Sequence, residues 1–230
     1  MKRNGLFGII ALWAACVMAA DSNPRDEVLA AAKKLSGESN YAWKSSTSWG
    51  GFDGSAEGKV EKGGAMFLTS TFGDSATEVA FKDKKIAIKP PDGEWQTVDE
   101  LEAGDEWLGR FLGRWVRNFK APAAEIEDLV SKAKELKKEA DVCSAELTSE
   151  GAAELLAGGR GPDVPPVKNA KGSVRFWLKD RAVQKYELRL QGTMNWGGEE
   201  RDTDRTTTTE VKDVGTTKVT LPEAAQKKLS

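Results

Sequence analysis

Residues 172–191 read Gly172-Ser-Val-Arg-Phe-Trp-Leu-Lys-Asp-Arg-Ala-Val-Gln-Lys-Tyr-Glu-Leu-Arg-Leu-Gln191. Val174, Phe176 and Leu178 recur at every second position, so they share one face of a strand. Tyr186, Leu188 and Leu190 repeat the pattern, and Asp180-Arg181 between the two runs reads as a turn. Each strand has an apolar face, as antiparallel strands packed on one side do. Phe176 and Trp177 are adjacent and point to opposite faces, which favours a second covered or adhesive surface.

Toward the C-terminus, Thr193 to Trp196 runs into a polar tip, Gly197 to Asp204. Arg205 to Asp213 carries four consecutive threonines, which favour strand. Val214-Gly215 turns into a last expected strand, Thr216 to Leu221, ended by Pro222 and a short polar tail. The acidic stretch from Glu199 to Glu210 lacks the spacing of a calcium loop.

Toward the N-terminus, residues 158–166 form an irregular Gly- and Pro-rich connector, preceded by a short helix that Thr148 caps. Asp141 to Leu147 reads as a strand with Cys143 as a buried, inert thiol. Ala123 to Ala140 reads as a helix with Ile126, Leu129, Val130, Ala133 and Leu136 inward. In Asp105 to Lys120, Trp107, Phe111, Trp115 and Phe119 recur at helical spacing, with Arg110, Arg114 and Arg117 on the other side. Asp99, Glu100, Glu102, Asp105 and Glu106 precede it as charge that suits a helix start. Residues 40–97 alternate in short runs between Gly-rich turns, a meander of antiparallel strands. Asn23 or Ser22 caps a first helix over residues 24–35, with Pro24 in its first turn.

The order is helix, strands, helices, one strand and helix, then strands. It predicts an α+β fold, a single antiparallel sheet wrapped around inserted helices.

Before the first helix lie a positive head (Met1 to Asn4), an apolar run (Gly5 to Val17) and small residues at Ala19-Ala20. This is the order of a cleavable secretory signal over residues 1–20. The run is shorter than the roughly 20 apolar residues of a membrane span. Leu12-Trp13-Ala14-Ala15-Cys16 partly matches a lipobox, so Cys16 is a candidate lipidation site. Trp13 and the apolar residues after Cys16 depart from that pattern, and the expected outcome is that Cys16 leaves with the signal.

Residues 21–230 then form one domain. Loss of Lys2 and Arg3 takes the 34 basic residues to 32 against 36 acidic, a net charge of -4. That balance lacks the basic excess of a nucleic-acid binder. Cys143 alone remains, which excludes an internal disulfide. The chain has no histidine. Ser-His-Asp and Cys-His nucleophile systems are therefore excluded, as is His-ligated zinc. No metal or other cofactor is expected.

The order and local pattern over about residues 25–225 resemble the periplasmic lipoprotein-carrier (LolA-like) superfamily, with its related mycobacterial lipid-carrier lipoproteins. Ser173 to Asp180 followed by Gln184 to Leu190 looks like that family's paired strands. Asp213 to Pro222 looks like its closing strand, and Asp141 to Thr148 also fits. The resemblance implies an unclosed antiparallel half-barrel whose helices cover a concave apolar face. It implies a non-enzymatic carrier, with a lipid or the acyl chains of a lipidated protein in the hollow. Trp43, Phe67, Phe81, Trp107, Phe111, Trp115, Phe119, Phe176, Leu188 and Leu190 are the expected ligand-lining residues.

Three roles stay open for the Trp-rich helix: core, lid over the hollow, or contact with a membrane surface. A sensor or interaction domain that binds envelope partner proteins is the alternative function. The expected location is the periplasm, with anchoring through Cys16 the lesser reading.

Overall fold

The computed structural model describes residues 23–104, 107–158 and 165–230. The chain enters through α1 (Pro24–Gly37). Asn23 accepts a hydrogen bond from the Arg25 N–H at 3.0 Å, and Pro24 occupies the first turn, where a missing N–H costs nothing. A meander follows: β1 (Asn40–Trp49), β2 (Phe52–Glu61), β3 (Met66–Phe72), β4 (Ser75–Lys82), β5 (Lys85–Lys89) and the short β6 (Gln96–Thr97). Helices α2 (Val98–Ala103), α3 (Trp107–Asn118) and α4 (Pro122–Lys132) come next. Then come β7 (Lys137–Glu139), β8 (Val142–Glu146), α5 (Ser149–Ala157), β9 (Lys168–Lys179), β10 (Ala182–Trp196), β11 (Glu199–Lys212) and α6 (Glu223–Leu229).

Among the described residues the eleven strands form one antiparallel sheet, in the order β6-β5-β4-β3-β2-β1-β11-β10-β9-β8-β7. The two ends do not meet, so the barrel stays open. The fold is α+β, as the sequence order implies. The chain leaves the sheet at the β6 edge and passes through α2, α3 and α4. It re-enters at the opposite edge as β7.

The registers place Phe176, Tyr186, Thr209, Ser45, Ala56, Ser70 and Thr77 in one row across seven strands. Side chains in such a row project to the same face. At the β8–β10 end, Val174, Phe176, Tyr186, Leu188 and Leu190 pack under Val28 and Ala32 of α1, Ile126, Leu129 and Val130 of α4, and Ala152 and Leu156 of α5. Each such buried aliphatic or aromatic side chain contributes about 1.5–3 kcal/mol. At the other end, Tyr41, Trp43, Met66, Leu68, Val79 and Ile88 pack under Val98 and Leu101 of α2, and Leu112 and Val116 of α3.

The opposite face of the sheet is also partly covered. Ala80, Ala87 and Trp95 pack there with Leu221, Ala225 and Leu229, and Phe67 joins them. Trp177, on β9, lies under the Lys185 ammonium, 4.0 Å from the ring centre. The sequence implied a second covered surface from the Phe176-Trp177 pair, and α6 provides one elsewhere on the sheet.

Two expected elements differ. The helix expected over residues 123–140 ends at Lys132. Ala133 then bridges Leu147, the Lys134 N–H donates to the Glu146 carbonyl at 2.8 Å, and residues 137–139 become edge strand β7. Ala133 and Leu136 are still buried, so the spacing that suggested helix is satisfied by extended chain.

The expected strand over residues 216–221 is irregular, although it runs along the domain. Side chains hold it in place of a ladder: Asn40 Oδ1 accepts from the Thr217 N–H at 2.7 Å and Glu61 Oε1 from the Val219 N–H at 2.8 Å. The tail after Pro222 is helix α6, which buries Ala225 and Leu229. No helix among the described residues is long and apolar enough to cross a membrane. The expected signal and Cys16 lie outside the described residues.

Candidate functional site

Between the two packed ends, the middle of the helix-covered face changes composition. β1, β3 and β11 present Ser45, Thr47, Ser70, Thr207 and Thr209, and β2 presents Gly54 and Ala56. Small side chains cannot reach the helices above, and a hollow of about 520 Å³ remains. That size lies within the usual range for small-molecule sites. Trp43, Trp49, Phe72, Trp115 and Phe119 wall it, with Leu155 and Gly158 at the end of α5.

The floor hydroxyls pair across strands. Ser45 and Thr209 are 2.8 Å apart and Thr47 and Thr207 3.1 Å apart. Trp49 Nε1 donates to Thr203 Oγ1 at 2.6 Å, which fixes the indole at the rim.

The aromatic wall is built by helix α3 lying over β1 and β4. Phe119 is 6.2 Å from Trp43 with rings 24° apart, 6.0 Å from Phe81 and 6.2 Å from Trp115. Helix α3 is seated on α2 through Gly109 and Gly113, whose missing side chains leave room for Leu101 and Glu102. Arg117 secures the pair, reaching Asp99 at 2.8 Å and Glu102 at 2.9 Å. These two carboxylates therefore serve helix docking, and Glu100 holds Lys228 of α6 at 2.9 Å.

Charged groups stand over the floor. Glu125 of α4 accepts a hydrogen bond from the Tyr186 hydroxyl. Burial raises the Glu125 carboxyl above its ordinary range, against the hydrogen bond from Tyr186 and the charge of Arg205. Tyr186 is raised well above the ordinary phenol value by burial and by the neighbouring Glu125. Arg205 of β11 donates from Nη2 to the Leu155 carbonyl at 3.0 Å. Its Nε is closed off from solvent and has no hydrogen-bond partner among the described residues. Burial lowers the guanidinium pKa, partly offset by Glu125. Asp128 is held by Lys120 at 2.8 Å and Lys132 at 2.6 Å.

The expected site residues separate into four groups. Trp43, Trp115 and Phe119 line the hollow, and Phe81 backs Phe119. Trp107 and Phe111 are 71% and 47% exposed, with ring centres 6.1 Å apart. Phe176, Leu188 and Leu190 are buried in the filled cluster under α1, α4 and α5 and do not line the hollow. Phe67 is on the opposite face of the sheet, beside Trp95 at 6.5 Å. The hydroxyl floor, Glu125, Tyr186 and Arg205 were not foreseen as site residues. The threonine run of β11 signalled a strand, and only its pairing with β1 shows that Thr207 and Thr209 belong to the polar floor. Glu125, Tyr186 and Arg205 come from separate elements, so no local pattern joins them. No cluster of three or more metal-ligating side chains occurs among the described residues.

The fold and site define a class: an open antiparallel sheet that holds a water-accessible hollow under helices. No family model matches the chain, and no curated protein matches it. Among solved structures, the chain is similar to the crystal structure of LprF from Mycobacterium bovis, at 11% identity and a TM-score of 0.45. That similarity covers 88% of this chain and 97% of LprF. An identity and score this low carry no argument about ligand or activity.

Proposed function

We propose that this protein is a non-enzymatic carrier of an amphiphile, a lipid or the acyl chains of a lipidated protein, in a bacterial envelope. The observation that carries this reading is the hollow of about 520 Å³ walled by Trp43, Trp115 and Phe119. An acyl chain in water costs about 0.8 kcal/mol per CH2, so a chain that leaves the membrane needs such a container. The LolA-like sequence pattern and the export signal support the same reading.

The mature protein begins after Ala19 or Ala20 and is periplasmic, with Cys16 discarded. Native mass spectrometry of protein purified from cells tests the carrier function. Bound lipid is the expected result. Ligand-free protein that also takes up no lipid from vesicles overturns it.

The second reading is an interaction domain, favoured by the exposed pair Phe52 and Phe72 at neighbouring hairpin tips, 6.0 Å apart. A protein that recovers a specific envelope partner only while Phe52 is intact, and takes up no lipid, would belong to that class.

A further inference from the structure

We propose that Arg205 makes the hollow selective for amphiphiles with an oxyanion head, a carboxylate or a phosphate monoester, seated on the threonine floor. The inference rests on the carrier reading and adds the chemistry of the cargo.

The charges around the hollow are otherwise committed. Lys120 and Lys132 hold Asp128, and Lys132 also reaches Glu154 at 3.2 Å. The Tyr186 hydroxyl donates to Glu125. Arg205 makes no ion pair within 4 Å among the described residues, and its Nε donates to nothing. A guanidinium keeps its proton in proteins and offers a planar fork of donors. Leaving a buried donor unpaired costs about 1–3 kcal/mol. A carboxylate or phosphate at the fork would remove that cost by charge-assisted, bidentate bonding, which an alcohol or an ammonium head cannot.

The neighbouring residues suit the rest of such a molecule. Thr207 lies two residues along β11 on the same face and pairs with Thr47, so hydroxyls adjoin the fork. Trp43, Trp115 and Phe119 offer the apolar wall for the chain. Arg205 also tethers the end of α5 through Leu155, so a purely structural role is the competing account.

Titration calorimetry with dodecanoate, dodecyl phosphate and dodecanol separates the two. The wild type is expected to bind one or both anions at least about tenfold tighter than dodecanol. Preference for one anion identifies the head. In Arg205→Gln the anions fall to within about twofold of dodecanol measured on the same variant. Equal wild-type affinity for all three probes overturns the inference and leaves the carrier reading standing. A preference that survives Arg205→Gln overturns the assignment to Arg205. No binding of any probe overturns both readings. The Arg205 Nε–H resonance of the wild type, assigned with Arg205→Lys, gives a second readout that does not depend on the Gln variant folding. It shifts on addition of the preferred anion and stays in place with dodecanol; an unmoved signal with the anion overturns the proposal.

Discussion

The indole of Trp43 lies across Gly58 on the neighbouring strand, where an added Cβ would stand 2.1 Å from the ring carbon Cζ2. Gly58 is thus what lets Trp43 lie flat as a wall of the hollow. Intrinsic strand preference favours alanine over glycine. The contact reverses that sign: Gly58→Ala is expected to cost about 1–3 kcal/mol by overpacking. Thermal unfolding measures the loss, and a change in tryptophan emission reports the displaced ring. A variant as stable as the wild type would show that Trp43 has another place to go.

Glu125 gives a pH dependence with a definite sign. Its folded pKa lies above the unfolded one because of burial, so the folded state binds the extra proton in the interval between them. Stability contributed by this group therefore falls as pH rises from the ordinary glutamate range through the folded pKa, then levels off. Glu125→Gln keeps an acceptor for the Tyr186 hydroxyl and removes the titration. The variant is expected to gain in Tm relative to the wild type as pH rises to neutrality, with the gap closing in acid. A constant gap across that range would contradict the assignment.

Helix α3 presents two kinds of aromatic residue. Trp107 and Phe111 are exposed, so the double change Trp107→Ser with Phe111→Ser should alter stability by no more than about 1 kcal/mol. Slower uptake of a fluorescent lipid from vesicles is expected if these rings meet the bilayer. By contrast, Phe176→Ala removes a fully buried ring and should cost about 3–5 kcal/mol. Comparable losses from the two changes would mean that the first turn of α3 is packed in solution.

The Cys143 thiol is buried, and burial together with Glu27 raises its pKa above the ordinary value, against the pull of Lys138. Its reaction with a disulfide reagent at neutral pH should be slow in the native protein and complete in guanidinium. Rapid native labelling would place the β8 strand among the readily opened parts of the fold.

Much of the sheet was legible because its signal is local. Alternation placed Val174, Phe176 and Leu178 on one face, and all three are buried. Asn23 and Thr148 were readable as caps, and both accept the expected backbone hydrogen bonds. What escaped was set by distant partners. The extended chain after Lys132 depends on pairing with residues 142–147, and the irregular segment before α6 depends on Asn40 and Glu61. The hollow escaped for a related reason. Aromatic residues were expected to mark it, yet Phe176 fills a core and Phe67 faces away. The space arises where Ser, Thr, Ala and Gly come into register across four strands. A run of small polar residues carries no sign of this until the strands are paired.

A sheet that never closes leaves two rows of backbone donors and acceptors with no neighbour. Here the outermost strands are stubs: β6 has two residues, and β7 is the exposed Lys137-Lys138-Glu139. Short, lysine-bearing borders discourage another chain from adding a strand. Many copies can therefore crowd together without edge-to-edge stacking. On the carrier reading proposed above, the surfaces left for handover of cargo are those where Trp107, Phe111, Phe52 and Phe72 stand exposed.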